Sequence, residues 1–280
     1  MTIKEIIKGF VPPVIIDLLK YLRRDKTLYY FGQFSSWNEA EKYSTCLRGG
    51  YNAPNIIDAV DNSTQKVRRG EALYEQDGVC FYEPNTNYEL LAALLYAKTQ
   101  LDELSVLDFG GALGSTYFRY RNLWDKLGIK WCCVEQKHFV DRGKKTVPEI
   151  SFYYNMDEAL SSANKPNVLL LSSVLQYLDD PTVWFASMLD KGFKYIILEE
   201  TAFDKDKHAG NKIMLQHVPE SIYKAVYPIN LLGYNELKDQ IEQSGYEIVW
   251  EWNFYGGQIP IKDGLFFRDT VDKGMLLKKR

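Results

Sequence analysis

The chain has 280 residues, 46% of them hydrophobic and 25% charged, which is typical of a folded globular protein and excludes a wholly disordered one. Its net charge of −3 argues against a nucleic-acid partner, because nucleic-acid binders usually neutralise phosphates with a surplus of Lys and Arg. The 20 Tyr, 14 Phe and 6 Trp can fill a core and also line ligand pockets.

Residues 1–70 differ in pattern from the rest and are predicted to form a helical, aromatic lid. Helices are predicted at Ile3–Lys8, Val14–Leu22, 38–44 and Ile56–Val67. Pro12 and Pro13 separate the first two helices. Ser36 and Glu39 have the spacing of a capping box, and Tyr29–Trp37 is rich in aromatic residues.

The apolar run Phe10–Leu19 is too short to span a bilayer and, being interrupted by Pro and Asp, is not expected to be a signal peptide. It belongs to a longer segment, Phe10–Leu22. Its flanks, Lys8 and Arg23–Arg24, are basic, which predicts a weak contact with a membrane surface. The alternative is a helical layer that packs on the sheet.

From about residue 88, helices alternate with short apolar strands. Helices are predicted at Tyr88–Leu101, Ser115–Leu127, Asp157–Ala163, Pro181–Leu189 and Asn235–Ser244. Strands are predicted at Ser105–Phe109, Ile129–Glu135, Asn167–Ser173, Tyr195–Glu199 and Tyr246–Trp252, with Leu265–Phe267 as the antiparallel partner of the last. This order predicts an α/β domain over residues 71–280, with a doubly wound, mainly parallel seven-stranded sheet.

The four cysteines show no Cys-x-x-Cys pair, and the three histidines are scattered, so no metal site is predicted. Cys132 and Cys133 are neighbours in a predicted strand, where their side chains point to opposite faces. A reducing, cytoplasmic compartment is therefore expected.

A glycine-rich turn joins the strand that ends near Asp108 to the next helix. Glycines there let the backbone approach a ligand, at the strand end where open α/β sheets bind ligands. A nicotinamide enzyme would need glycine at positions 112 and 115, which the chain lacks. The spacing of Asp108, Gly110 and Gly114 instead fits the acid-x-Gly-x-Gly-x-Gly pattern of methyltransferases, with Ala112 as the middle residue and Gly111 beside it. A tight turn in another kind of α/β protein is the alternative.

The following strand ends at Glu135, near the spacing from Asp108 that nucleotide-binding units show. A carboxylate at this place can accept hydrogen bonds from both hydroxyls of a cofactor ribose. Glu135 is therefore predicted to bind the ribose, the alternative being a surface carboxylate at a strand end.

Several segments together resemble one family of proteins. They are Gly9–Pro13, Ser36–Ala40, Lys66–Glu71, Tyr74–Asp77, Leu107–Phe118, Val134–Gln136, Leu171–Leu178, Gln216–Pro219 and Ser221–Tyr223. On these segments, which extend nearly end to end, the chain resembles class I methyltransferases associated with bacterial surface-polysaccharide loci. The resemblance implies a Rossmann-like fold and S-adenosylmethionine as cofactor. After the fifth strand, however, Glu199–Ala202 replaces an Asp-Arg-Thr-Pro-like run, which puts any role of that Arg in doubt.

The cofactor site is predicted from the loop, the second strand end and the segment after the fourth strand. Its predicted members are Asp108, Gly110, Gly111, Ala112, Gly114, Glu135, Gln136, Ser172, Ser173 and Gln176. Gln176 and Tyr177 resemble the loop that faces the acceptor in this fold, although helix capping and packing would also explain them.

Methyl transfer requires a positioned acceptor and, for a hydroxyl, a group that removes its proton. The predicted base is His217, because imidazole titrates near neutrality and a long connection up to Asn235 has room to shape a pocket. Tyr223 or Tyr227 is predicted to assist it. Glu200 is the next candidate, since adjacent Glu199 raises its pKa. A structural histidine and solvated glutamates are the alternatives.

The first hypothesis of function is an S-adenosylmethionine-dependent methyltransferase that O-methylates a sugar or another small polar acceptor in surface-polysaccharide biosynthesis. The second is a non-catalytic cofactor-binding or regulatory module that keeps the fold. Titration with S-adenosylhomocysteine together with a methyl-transfer assay separates the two.

Overall fold

The computed structural model of the chain describes residues 27–47, 54–222, 225–254 and 258–280. The helices in these ranges are α1 (Trp37–Leu47), α2 (Pro54–Arg68), α3 (Tyr88–Gln100), α4 (Ser115–Leu127), α5 (Lys137–Thr146), α6 (Met156–Leu160), α7 (Pro181–Asp190) and α8 (Tyr234–Gln243). The predicted helices at Ile3–Lys8 and Val14–Leu22, and the membrane contact of Phe10–Leu22, lie outside the described residues.

The strands of the same ranges are β1 (Tyr29–Phe34), β2 (Tyr74–Gln76), β3 (Val79–Phe81), β4 (Ser105–Phe109), β5 (Lys130–Val134), β6 (Ser151–Tyr153), β7 (Val168–Ser172), β8 (Tyr195–Asp204), β9 (Lys212–Val218), β10 (Ala225–Leu231), β11 (Tyr246–Phe254), β12 (Ile261–Asp263), β13 (Phe266–Arg268) and β14 (Thr270–Lys279).

The main sheet has seven strands in the order β11-β14-β8-β7-β4-β5-β6. The five strands from β8 to β6 are parallel, whereas β14 runs antiparallel to both of its neighbours. The predicted α/β fold with a mainly parallel seven-stranded sheet is thus confirmed. Parallel strands place their carboxyl ends at one edge, so the ends of β4, β5 and β7 meet there beside the middle of the longer strand β8.

Successive residues of the central strands pack on opposite faces of this sheet. Val106 belongs to the hydrophobic cluster on one face and Leu107 to the cluster on the other. Both side chains are fully buried, as a sheet covered by helices on two sides requires. The buried indoles of Trp124 and Trp131 stack with ring centroids 5.8 Å apart and join α4 to β5.

Helix ends follow the capping residues of the sequence. The Asp180 side chain accepts a hydrogen bond from the backbone N–H of Val183 at 3.1 Å, which confirms the predicted cap of α7. The Ser36 hydroxyl accepts from Glu39 N at 3.3 Å, as a capping box requires, although the Glu39 carboxylate binds Ser35 rather than Ser36.

A second sheet of five strands has the order β10-β9-β1-β12-β13. The strand β1 pairs antiparallel with β9 and parallel with β12, so the aromatic segment predicted as part of a lid is a central strand of this sheet. The predicted long connection before Asn235 is wrong: it consists of the paired strands β9 and β10. Both are almost wholly buried, so they lack the alternation that reveals half-exposed strands.

The predicted terminal hairpin is also wrong in its partner. The strand β11 pairs with β14, whereas Phe266–Arg268 pairs with β12 in the second sheet. The ten-residue strand β14 can form more backbone hydrogen bonds with β11 than the three-residue strand β13 could. Within the described ranges, no helix is both long and apolar enough to cross a membrane.

Candidate functional site

A cavity of about 1410 Å³ opens at the carboxyl edge of the main sheet. Its wall includes Asp108, Glu135 and Ser172, which lie at or just after three strand ends, and Glu199 in the middle of β8, which lies beside Ser172. From β4 the chain passes outward through β5 to β6 and then crosses to β7 and β8 on the other side of β4. The cavity therefore lies at the switch point of the sheet, where open α/β folds bind ligands.

The glycine-rich turn forms one wall of the cavity. Gly110 has φ +76° and its N–H donates to the carbonyl of Val134 at 2.9 Å, which fixes the turn against β5. A Cβ at Gly111 would lie 2.5 Å from Cγ of Asp108, so no side chain fits there. Ala112 adopts φ +48°, a left-handed conformation that the glycine of the usual pattern would adopt at lower cost. The backbone is thus exposed to the cavity where a ligand could approach it.

Asp108 and Glu135 lie beside this turn. Trp131 Nε1 donates to Oδ2 of Asp108 at 3.3 Å, and burial raises the pKa of the Asp108 carboxyl to about 7. The Glu135 carboxylate accepts from the N–H of Gln136 at 2.6 Å and from that of Ala112. Burial raises the pKa of Glu135 to about 7 as well, although these two N–H groups oppose the shift. Glu135 therefore connects the end of β5 to the glycine-rich turn.

A second pair of carboxylates lies across the cavity, in β8. Glu199 is buried, and its oxygens accept from Asn87 Nδ2 at 2.5 Å and from Ser172 Oγ at 3.0 Å. Asn87 was missed by sequence reasoning. It caps α3 through Oδ1, which accepts from Leu90 N at 2.9 Å, and this leaves its amide N–H groups for Glu199.

Glu200 also lines the cavity and is held in an uncommon conformation. Its φ is +48°, and no described residue donates a hydrogen bond to its carboxylate. Burial, followed by repulsion from Glu199, raises the pKa of Glu200 to about 8. Backbone strain of this kind is concentrated at functional sites.

Gln176 faces the same part of the cavity. Its Nε2 donates to Ser173 Oγ at 3.0 Å and to the carbonyl of Glu200 at 3.2 Å. Its Oε1 is buried and has no hydrogen-bond partner among the described residues. A buried acceptor without a donor costs about 1–3 kcal/mol, so a ligand that donates to it would gain affinity.

His217 does not lie in the cavity wall. Neighbouring residues of a strand point to opposite faces, and it is Gln216 that lines the cavity. The amide of Gln216 accepts from the Tyr177 hydroxyl at 2.8 Å and donates to that of Tyr227 at 3.3 Å. The imidazole of His217 instead stacks on Tyr29 with centroids 4.5 Å apart, and its Nδ1 lies 3.2 Å from the carbonyl of Thr27.

The structure thus places the predicted base, His217, outside the cavity wall, where its ring contacts Tyr29 of β1 and the carbonyl of Thr27. Of its two predicted assistants, Tyr223 lies outside the described residues and Tyr227 lines the cavity. Among the predicted cofactor residues, all except Gly114 line the cavity. Gly114 is the N-cap of α4 at φ +92°, where a Cβ would lie 2.6 Å from Cδ1 of Ile150.

Two further residues in the wall, Glu75 and Arg119, were not predicted to have a role. Glu75 is buried, and it accepts hydrogen bonds from the Ser115 hydroxyl and from Gly78 N. Arg119 packs over the ring of Tyr74 at 3.9 Å. The segment Tyr74–Asp77 carried the family resemblance, but its pattern alone did not indicate a function. In the described parts of the chain, no three His, Cys, Asp or Glu side chains are grouped so as to hold a metal ion.

No protein-family model matches the chain, and no curated protein matches it. Several solved structures do. The N-terminal domain of EvdMO1, crystallised with S-adenosylhomocysteine and D-fucose, has 13% identity, covers 78% of this chain and 97% of its own, and has a TM-score of 0.47. A SAM-dependent methyltransferase from Methanosarcina mazei has 13% identity, coverages of 66% and 96%, and a TM-score of 0.44.

CalS10, an amino pentose methyltransferase from Micromonospora echinaspora solved with SAM, has 9% identity, covers 71% of this chain and 98% of its own, and has a TM-score of 0.42. At TM-scores below 0.5, these matches assign neither a family nor a function to the chain. The candidate site is therefore defined by its own residues: a glycine-rich turn joined to the Glu135 carboxylate on one side of the cavity, and Glu199, Glu200 and Gln176 on the other.

Proposed function

We propose that the chain is an S-adenosylmethionine-dependent methyltransferase that acts on a small polar acceptor. The observation that carries the proposal is the union of the glycine-rich turn with Glu135. The two lie at the ends of adjacent parallel strands, the carboxylate accepts a hydrogen bond from the Ala112 N–H, and both line one large cavity.

The residues of this wall fit the cofactor. The Glu135 carboxylate can accept the two ribose hydroxyls, because each of its oxygens has more than one lone pair. Gly110 and Gly111 have no side chains that would keep a ligand from the backbone of the turn. The position that a Cβ of Gly111 would take is occupied by the Asp108 carboxylate. The cavity of about 1410 Å³ exceeds the roughly 300–1,000 Å³ of ordinary ligand pockets, which leaves room for an acceptor beside a cofactor.

When bound, the cofactor supplies a methyl group that is already activated on a sulfonium sulfur. The protein then has to orient the acceptor and accept its proton. Glu200 is the proposed proton acceptor, because it lines the cavity and burial raises the pKa of its carboxyl to about 8, close to the working range. Gln176, Tyr177 and Gln216 are the proposed orienting groups.

A sugar-like acceptor is the form of substrate that we favour. Tyr177, Gln216 and Tyr227 form a hydrogen-bonded row in the wall, and amides and phenols of this kind suit the hydroxyls of a saccharide. We further propose, from the family resemblance, that the product is used in surface-polysaccharide biosynthesis.

Calorimetry with S-adenosylhomocysteine tests the proposal. Wild type should bind it, and Gly111→Ala should bind it at least about ten-fold more weakly, because the added Cβ has to displace the Asp108 carboxylate. Gly70→Ala is the matched control. Gly70 has φ +75°, so an alanine there is strained by its backbone conformation. An added Cβ would meet no atom within 4 Å, however, and Gly70 is not in the cavity wall. Absence of binding by wild type would refute the proposal. Binding without transfer to any acceptor of a sugar panel would favour the non-catalytic module.

A further inference from the structure

Four carboxylates of the cavity wall form a group around Glu200, which we call the acidic side of the cavity. Its members are Glu199, Glu200, Asp77 and Asp272, and Glu200 is within electrostatic reach of the other three. The Arg119 cation opposes this repulsion on Glu200. The other cationic side chain in the described wall, Lys191, is paired with Asp157 at 2.6 Å, next to α6.

Two hydrogen-bond acceptors on this side receive no hydrogen bond from a described residue. The Glu200 carboxylate receives no hydrogen bond from a described residue, and Oε1 of Gln176 is buried without a partner. The Nε2 of Gln176 is already used by Ser173 and by the carbonyl of Glu200, so it has little left to offer a ligand. A hydroxyl is both a donor and an acceptor, whereas an ammonium group has three donors and no acceptor. The unused acceptors therefore match an ammonium better than a hydroxyl.

The cost of burying these carboxylates points in the same direction. Burial raises the pKa of Glu199 to about 7, that of Glu200 to about 8 and that of Asp272 to about 6. A cation in their midst would stabilise the charged forms, because an opposite charge within roughly 4–6 Å favours ionisation. A neutral ligand would leave the mutual repulsion of the carboxylates in place. A bound cation would therefore relieve the repulsion between these carboxylates, and a neutral ligand would not, so the site should prefer a cation.

We propose that the acceptor is an amine that enters as an ammonium ion, as in an amino sugar, and that Glu200, Asp77, Asp272 and Gln176 recognise its charge and its N–H groups. This inference rests on the proposed function and defines its substrate class, replacing the hydroxyl acceptor expected from the sequence.

In the reaction, the ammonium first gives one proton to the Glu200 carboxylate. The nitrogen lone pair then forms the new N–C bond with the methyl carbon as the C–S bond breaks, and the electron pair of that bond goes to sulfur. The products are a neutral thioether and a methylated ammonium, so the positive charge of the sulfonium passes to nitrogen. The proton on Glu200 leaves to solvent.

The test uses the full chain saturated with S-adenosylhomocysteine at pH 7. Calorimetry measures the Kd of three matched pairs: D-glucosamine with D-glucose, D-galactosamine with D-galactose, and D-mannosamine with D-mannose. N-acetyl-D-glucosamine is the neutral amide control. We expect at least one amino sugar to bind about ten-fold more tightly than its hydroxyl partner, which corresponds to about 1.4 kcal/mol.

Glu200→Gln should reduce this preference to about two-fold or less, and Asp272→Asn should lower it in the same direction. Glu242→Gln is the matched control: it makes the same change on α8, outside the described wall, and should keep the full preference. Retained binding of S-adenosylhomocysteine shows that each variant is folded.

The possible failures are distinguishable. If wild type does not bind S-adenosylhomocysteine, the proposed function is overturned and the inference with it. If it binds S-adenosylhomocysteine but no amino sugar binds more tightly than its partner, the inference alone is overturned. A preference that survives unchanged in both Glu200→Gln and Asp272→Asn would also overturn it, because the recognition would then lie elsewhere.

Discussion

Replacing Glu135 by Gln removes the negative charge at the end of β5 and keeps the length of the side chain. In the wild-type protein, the Glu135 carboxylate accepts hydrogen bonds from the N–H groups of Gln136 and Ala112. We propose that it also accepts hydrogen bonds from the two ribose hydroxyls. An amide has one acceptor oxygen for these four donors, and its NH₂ group would oppose one of them. Hydrogen bonds to charged groups contribute about 1.5–3 kcal/mol, against about 0.5–1.5 kcal/mol for neutral ones. We therefore expect Glu135→Gln to weaken binding of S-adenosylhomocysteine by at least roughly 1.4 kcal/mol, which is ten-fold in Kd.

The assay is calorimetric titration of S-adenosylhomocysteine at pH 8 and again at pH 6. Burial raises the pKa of Glu135 to about 7, so the carboxyl is mainly ionised at the higher pH and mainly protonated at the lower. The difference between wild type and Glu135→Gln should consequently be large at pH 8 and shrink at pH 6. Glu242→Gln should match wild type at both. Equal affinities of wild type and Glu135→Gln at pH 8 would show that the ribose does not lie on Glu135.

Three further outcomes are expected. Gly110→Ala should destabilise the protein by about 1–3 kcal/mol in chemical unfolding, because its Cβ would lie 2.4 Å from Cγ2 of Val174 at a φ of +76°; unchanged stability would contradict the geometry of the turn. His217→Ala should lower the melting temperature, through loss of the stack on Tyr29, and leave turnover within a few-fold of wild type; a hundred-fold loss of turnover would restore His217 as the base. The ligand-free protein should melt at a lower temperature at pH 8.5 than at pH 6. Burial raises the pKa of Glu199 from 4.5 to about 7 and that of Glu200 from 4.5 to about 8. Their contribution to stability is therefore complete below pH 4.5 and is lost as the pH rises through the folded-state pKa values. A melting temperature that rises from pH 6 to pH 8.5 would contradict this expectation.

The main sheet could be predicted from sequence because each of its elements carries a local signal. Ser105–Phe109 is a short apolar run that ends at an acid and glycines, and the structure has a strand with those bounds. The helix Ser115–Leu127 is likewise found with the predicted bounds, since its apolar residues recur at helical spacing and Gly128 ends it. Such signals depend on neighbouring residues alone.

The second sheet and half of the candidate site could not be predicted, because they depend on contacts between distant parts of the chain. The carbonyl of Thr27 and the ring of His217 are 190 residues apart in sequence, and their contact lies on the face of β9 that points away from the cavity. Asn87 and Glu199 are 112 residues apart, and only their pairing shows that a helix cap also holds a carboxylate of the site. Sequence reasoning recognised the side chains that were chemically suitable but not the face on which each would lie.

The place of β1 in the second sheet has a consequence for how the protein is made. Tyr29–Phe34 leaves the ribosome early, yet its partners on its two sides are residues 212–218 and 261–263. During synthesis this aromatic strand stays unpaired until at least residues 212–218 have emerged. Pairings between such distant segments form slowly, and an unpaired apolar strand is prone to aggregation in the meantime. Loss of β12 would therefore leave one edge of β1, more than 200 residues earlier in the sequence, without its neighbour.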